Sequence, residues 1–239
     1  MTLNCIFHEK VWKKKATLRL IYEDYYRKIL GRCIGGLTLE VGGGHGNFKE
    51  FFPEVVSTDI ISRSSIDTVC DAQALPFSDG SFANVISVDT LHHIERPVMF
   101  IKESLRVLRP GGKFVLLEPA ITPLSKLGYR LHPEPVDMTA NPLIDEPSSG
   151  NWGPFDANQG IATLLCGRFR KDLEKVVPNL EFVETEYESL FVWPLSGGYQ
   201  TWSLIPSGLV KPLLAIEKKL ICFLGRYMAF RIFVVFSKS

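Results

Sequence analysis

The run Leu39-Glu40-Val41-Gly42-Gly43-Gly44-His45-Gly46 follows an apolar, β-rich stretch and precedes residues that favour a helix. Glycines at 42, 44 and 46 let the backbone turn tightly and come close to a ligand. A dinucleotide fingerprint would carry its third glycine at position 47, where this chain has Asn47. The acid Glu40 beside the turn suits a ligand with positive charge better than a pyrophosphate lying at a helix N-terminus. Two further acids stand at strand ends. Asp59 closes Ser57-Thr58-Asp59, where a carboxylate accepts from the hydroxyls of a ribose. In Asp71-Ala72-Gln73, the carboxylate and the Ala72 N–H match the amino group and ring nitrogen of an adenine. The plainer alternatives are a turn that only joins strand to helix, and an aspartate that caps a turn. Beyond these, His92 and His93 follow another apolar run, and histidine accepts a proton near neutral pH. Packing or ligand orientation, proton transfer, and metal binding together with Asp89 all stay open for this pair. Their spacing matches no standard zinc pattern, so no metal is expected. His132-Pro133-Glu134-Pro135 offers a second base and carboxylate, or simply a rigid loop.

Positioning these groups takes a sheet. Strand-like runs at 38–41, 55–59, 66–70, 83–88 and 113–118 alternate with helical composition at 47–52 and 98–108. That alternation predicts a parallel sheet with helices on both faces. Arg109-Pro110-Gly111-Gly112 stops the second helix. After Glu118, prolines at 119, 123, 133, 135, 142, 147 and 154 punctuate a segment that reads as an insert over 119–160. In open α/β sheets such an insert leaves the carboxyl ends of the strands, where ligands bind. A helix over 161–177, a strand over 180–187, an amphipathic helix over 211–224 and a buried strand over 230–236 complete a seven-stranded single domain spanning 1–239. The N-terminus also reads as helical.

Taken in order, Glu40 to Gly46, Asp59, Asp71 to Phe82, Val88 to His93 and Leu105 to Gly112 resemble the motifs of class I S-adenosylmethionine-dependent methyltransferases. They are most similar to the type 11 group, which includes ubiquinone and menaquinone methyltransferases. The resemblance covers about a third of the chain and is specific for ligand and fold rather than for acceptor. It implies a Rossmann-like sheet of order 3-2-1-4-5-7-6 with the last strand antiparallel. It also implies S-adenosylmethionine as methyl donor and S-adenosylhomocysteine as product. By the same resemblance Glu40, Gly42, Gly43, Gly44 and Gly46 lie near the methionine portion and Asp59 on the ribose. Ile60 then covers one adenine face, Asp71 and Ala72 meet the adenine edge, and Asp89 lies near the methyl group. His45 departs from the small or acidic residue common at its position. The stretch from Glu118 to Gly198 is similar to proteins encoded among bacterial surface-polysaccharide genes, which implies a glycan or glycolipid acceptor.

Composition narrows the rest. Twenty-seven basic against 26 acidic residues leave a net charge of +1, too little to hold a polyphosphate chain, so nucleic acid is not an expected partner. Five cysteines without a Cys-x-x-Cys pair suggest neither a disulfide framework nor a zinc knuckle and fit a reducing cytoplasm. The uncharged run 189–210 is broken by Pro194, Gly197, Gly198, Pro206 and Gly208 and reads as non-transmembrane. Trp152, Phe155, Phe191, Trp193, Tyr199 and Trp202 concentrate aromatic surface in 119–160 and 189–210. These read as a lid or subdomain core, or as the wall of a site for a small-molecule, glycan or lipid-linked acceptor. The apolar face of 211–224, with basic flanks, leaves peripheral contact with a membrane surface open. A noncatalytic adenosyl-ligand binding protein and a nicotinamide-dependent oxidoreductase are the rival readings, and Asn47 speaks against the second.

Overall fold

The computed structural model describes residues 3–147, 150 and 152–239, with side chains from Phe7 onward. Its strands are β1 (Thr38–Val41), β2 (Val56–Asp59), β3 (Thr68–Val69), β4 (Phe82–Val88), β5 (Leu108–Pro119), β6 (Leu180–Glu188) and β7 (Arg231–Lys238). They form one sheet in the order β3-β2-β1-β4-β5-β7-β6, as expected. The pairs β1–β2, β2–β3, β1–β4 and β4–β5 are parallel, whereas β7 runs antiparallel to both β5 and β6. The central strands are apolar on both faces: β4 and β7 are buried along nearly their whole length. Such runs require helices on each side.

One face is covered by α4 (Pro97–Val107), α6 (Ile161–Cys166) and α7 (Arg170–Val176). Phe100, Ile101, Leu105, Leu165 and Leu173 pack there with Leu39, Val85, Phe114 and Phe236 of the sheet. The other face is covered by α2 (Ala16–Leu30) and α9 (Ser207–Met228). In α2, Leu18, Ile21, Tyr22, Tyr25, Tyr26 and Ile29 recur at helical spacing and are all buried, each worth about 1.5 to 3 kcal/mol of transfer for the larger apolar side chains. They meet Ile86, Val115, Leu117, Phe233 and Val235, with Trp12 of α1 (Leu3–Lys14) closing the same cluster. The remaining helices are α3 (Asn47–Phe51), α5 (Pro123–Tyr129) and α8 (Val192–Ser196).

Three elements differ from expectation. The helix over 161–177 is two helices, because the chain turns at Gly167, where a Cβ would stand 2.9 Å from the Thr163 carbonyl oxygen. Strand β5 begins at Leu108, so Arg109-Pro110-Gly111-Gly112 lies within an irregular start of the strand, opposite a register shift between Phe82 and Asn84. The edge strand β3 pairs over only Thr68 and Val69. The segment 119–160 contains α5 and is otherwise irregular where described. In 189–210, Leu190, Val192, Ile205 and Val210 are buried, so that segment contributes to the second core. Cys33, Cys70, Cys166 and Cys222 are unpaired, and the Cys5 side chain lies outside the described residues. No helix among the described residues is long and apolar enough to cross a membrane.

Candidate active site

The glycine turn leaves β1 at its carboxyl end. Gly42 and Gly43 both donate their N–H to the Thr58 carbonyl oxygen at 2.9 Å, which fixes the turn to β2. Behind it, Glu40 is 5% exposed and accepts from Ser57 Oγ at 2.6 Å. A Cβ at Gly43 would lie 2.0 Å from Ser57 Oγ, so this pair can stand there only because residue 43 has no side chain. Burial pushes the Glu40 carboxyl up to about 7, against the hydrogen bond from Ser57. Glu40 thus braces the turn from inside. Gly44 differs: with φ +53 it has no heavy atom within 4 Å of where a Cβ would be. Gly46, at φ +78, starts α3.

Asp59 lies against the same turn, accepting from Gly44 N at 2.9 Å and from Ile61 N at 2.8 Å, with Arg63 Nη1 at 3.5 Å. A carboxylate offers about four lone-pair sites, so these partners leave acceptor capacity for ribose hydroxyls. Ile60 beside it is 55% exposed. Asp71 accepts from Gln73 N at 2.8 Å and from the Gln73 side chain at 3.1 Å, which makes it a turn-capping residue, while Ala72 is buried. The residues present fit an adenosyl ligand: an open backbone at Gly44, a carboxylate with spare acceptor capacity at Asp59 and an exposed apolar Ile60 lie together at the carboxyl ends of β1 and β2.

Asp89, in a left-handed conformation (φ 54), turns toward the second core. It accepts from Tyr22 Oη at 2.8 Å and forms an ion pair with Arg231, whose second nitrogen is at 3.1 Å. Arg231 is 4% exposed and stacks over Trp193 at 4.5 Å. The aromatic segment is anchored beside this network. Lys15 donates to the carbonyls of Gly198, Gln200 and Trp202 at 2.7 to 2.8 Å, and Asn47 Nδ2 donates to Tyr199 Oη at 2.9 Å. Segment 189–210 therefore flanks the glycine turn. Sequence reasoning passed over Tyr22 and Arg231; a lone arginine opening the apolar run of β7 was the available signal.

The two histidines sit in the 3₁₀ turn Leu91–His93 after β4. Glu118, at the end of β5 and fully buried, binds the backbone N–H groups of Thr90 and Leu91 at 2.8 Å and His92 Nδ1 at 2.7 Å. Because a carboxylate only accepts, His92 Nδ1 carries the proton. His93 Nδ1 donates to the Asp156 carbonyl at 3.0 Å. The insert folds back over the pair: Asn158 N donates to the His92 carbonyl at 2.8 Å and Trp152 Nε1 to the His93 carbonyl at 2.7 Å. It also delivers Glu134, whose Oε2 lies 3.6 Å from His92 Nε2 and whose Oε1 lies 4.0 Å from His93 Nε2. Burial opposes the charged form of His92, but Glu118 and Glu134 outweigh it and raise the imidazole to about 9. For His93, burial and the neighbouring His92 lower it. His132 Nδ1 accepts from Glu134 N at 3.3 Å at the edge of the cluster.

A doubly wound sheet with a glycine turn at the end of β1 and acids at the ends of β2 and after β3 is a Rossmann-like architecture. Residues 39–116 match the family model described as a methyltransferase domain. The chain is 30% identical over 159 residues to a demethylmenaquinone methyltransferase of Clavibacter sepedonicus, covering 62% of this chain and 64% of that protein. It is 26% identical to a probable S-adenosylmethionine-dependent methyltransferase of Mycolicibacterium smegmatis over 49% of each. The chain thus spans 64% and 49% of the lengths of these two relatives. Among solved structures, its fold is like that of an S-adenosylmethionine-dependent methyltransferase of Thermotoga maritima (TM-score 0.53, 15% identity, 93% of this chain and 99% of that one). It is also like the geranyl diphosphate C-methyltransferase of Streptomyces coelicolor, solved with S-adenosyl-L-homocysteine (TM-score 0.54, 12% identity, 97% of this chain and 84% of that one).

Proposed function

We propose that the chain is an S-adenosylmethionine-dependent methyltransferase acting on a small-molecule, glycan or lipid-linked acceptor. The observation that carries this reading is the Gly42-to-Gly46 turn, open at Gly44 and flanked by Asp59 and the exposed Ile60. When bound, S-adenosylmethionine supplies a methyl group on a sulfonium that is already a good leaving group. The protein's own work is then to hold donor and acceptor in line, for which orientation can supply roughly 7 to 11 kcal/mol. In this reading Gly44 and Gly46 receive the methionine portion, Asp59 the ribose, and Ile60, Asp71 and Ala72 the adenine. Glu40, Gly42 and Gly43 hold the turn's shape. Asp89, kept in place by Arg231 and Tyr22, marks the boundary toward the acceptor.

The exposed surface supports an apolar or lipid-linked acceptor. Trp202 and Phe155 are about half exposed, and Ile216, Leu220, Phe223 and Tyr227 form an exposed apolar stripe on α9 among Lys218, Lys219 and Arg226. The unpaired cysteines support a cytoplasmic setting.

Calorimetry with S-adenosylmethionine, S-adenosylhomocysteine and NAD tests the reading: the first two should bind and the third should not. Asp59→Ala should weaken S-adenosylmethionine about tenfold or more, since a charged hydrogen bond contributes roughly 1.5 to 3 kcal/mol. Tight NAD binding without S-adenosylmethionine binding overturns the proposal. Binding without turnover on any quinone, glycan or lipid-linked acceptor favours a noncatalytic adenosyl-binding protein.

A further inference from the structure

We infer that His92 Nε2, His93 Nε2 and a Glu134 carboxylate oxygen form a binding site for one divalent transition ion of the zinc class. The sequence expectation of no metal considered only Asp89 as the third partner, and Asp89 is committed to Arg231 and Tyr22. Folding replaces it with Glu134 from the insert.

Three observations carry the site. The ligand atoms of His92, His93 and Glu134 all lie within 4.8 Å of one another. Tetrahedral coordination at about 2.0 to 2.1 Å places ligand atoms about 3.3 Å apart, so these separations, 3.6 Å between His92 Nε2 and Glu134 Oε2 among them, would close by up to about 1.5 Å around an ion. Second, both imidazoles have their Nδ1–H spent on an outer acceptor, Glu118 for His92 and the Asp156 carbonyl for His93. This is the outer-shell pattern that fixes a metal-ligating histidine in the Nε2-coordinating tautomer. Third, Glu134, held by the Gln159 side-chain amide, faces both Nε2 atoms at 3.6 and 4.0 Å, where an ion would take the place of the His92 Nε2 proton.

The donor set selects the ion. Two imidazoles and one carboxylate suit zinc, cobalt, nickel or iron, whereas magnesium and calcium ask for oxygen ligands alone. His132 is excluded as a fourth ligand through Nδ1, which already accepts from Glu134 N. Three protein ligands leave a coordination position for water or for an acceptor oxygen, the arrangement of zinc sites that do chemistry rather than hold structure. That the open position serves an acceptor rests on the methyl-transfer reading. The binding of the ion does not.

The test uses the full chain, stripped with a chelator and titrated with Zn2+ and separately with Co2+, whose visible absorption reports tetrahedral nitrogen and oxygen ligation. One equivalent should bind, Mg2+ should not compete, and Glu134→Gln and His93→Asn should each weaken binding at least about tenfold. Circular dichroism checks that each variant is folded, and if one fails the other still decides. Absence of Zn2+ and Co2+ uptake by the unmodified chain, or uptake unchanged in a folded variant of either kind, overturns the site. S-adenosylmethionine affinity, measured on the same samples, separates this outcome from failure of the methyl-transfer reading.

Discussion

The glycine turn and the histidine cluster both lie at the carboxyl end of the sheet, but they are assembled over very different distances along the chain. Around the turn, partners are near neighbours in sequence: Gly44 with Asp59, Ser57 with Glu40, Asp71 with Gln73. Around the cluster and Asp89, partners come from far away: His92 with Glu118 and Glu134, and Asp89 with Arg231 and Tyr22. The first arrangement can be kept by one βαβ unit. The second exists only once β5, β7, the insert and α2 are all in place. In the proposed reading, the methyl donor meets local structure, while the surroundings of the acceptor depend on the completed tertiary fold.

The largest test of this contrast removes a long-range partner. Asp89→Ala leaves the Arg231 guanidinium buried without its carboxylate and should cost about 3 to 5 kcal/mol in a urea unfolding experiment. A loss under about 1 kcal/mol would show that the distant network is not what holds this end together. The local region makes a different prediction. Glu40 keeps its proton in the folded protein up to about pH 7, whereas the unfolded chain releases it near the ordinary carboxylate value. The native state then binds more protons, so this group's contribution to stability falls as pH rises from about 4.5 to 7. Glu40→Gln should remove that fall, worth up to about 3 kcal/mol, and raise the melting temperature at pH 8 more than at pH 5. Parallel melting curves for the two proteins across pH would contradict the buried-carboxyl account.

The tryptophans divide between the two regions, and Trp202 carries the smallest effect. Trp193 stacks on Arg231 and abuts Gly198, where a Cβ would come within 2.9 Å of its ring, so Trp193→Ala should destabilise by a few kcal/mol. Trp202 is 49% exposed, and Trp202→Ala should leave S-adenosylmethionine affinity within about threefold while lowering acceptor turnover. Comparable destabilisation by both would assign Trp202 to the core as well.

Much was legible in the sequence because its signals are local. The alternation of apolar strands and helical stretches fixes a doubly wound sheet, and the glycine spacing beside Glu40 marks the turn after β1, since a tight turn needs small residues wherever the chain goes. Even the loss of a dinucleotide fingerprint at Asn47 can be read without coordinates. What only the tertiary structure decided is which distant groups meet. Nothing in the spacing of Asp89, His92 and His93 shows that Asp89 turns to Arg231, that Glu118 accepts a hydrogen bond from His92 Nδ1, or that Glu134 arrives from a proline-rich insert. Periodicity records which face of an element is buried, but not which charged side chain from another element is buried against it. That pairing is set by strand order and by the path of the insert, because a buried charge must find its partner in space.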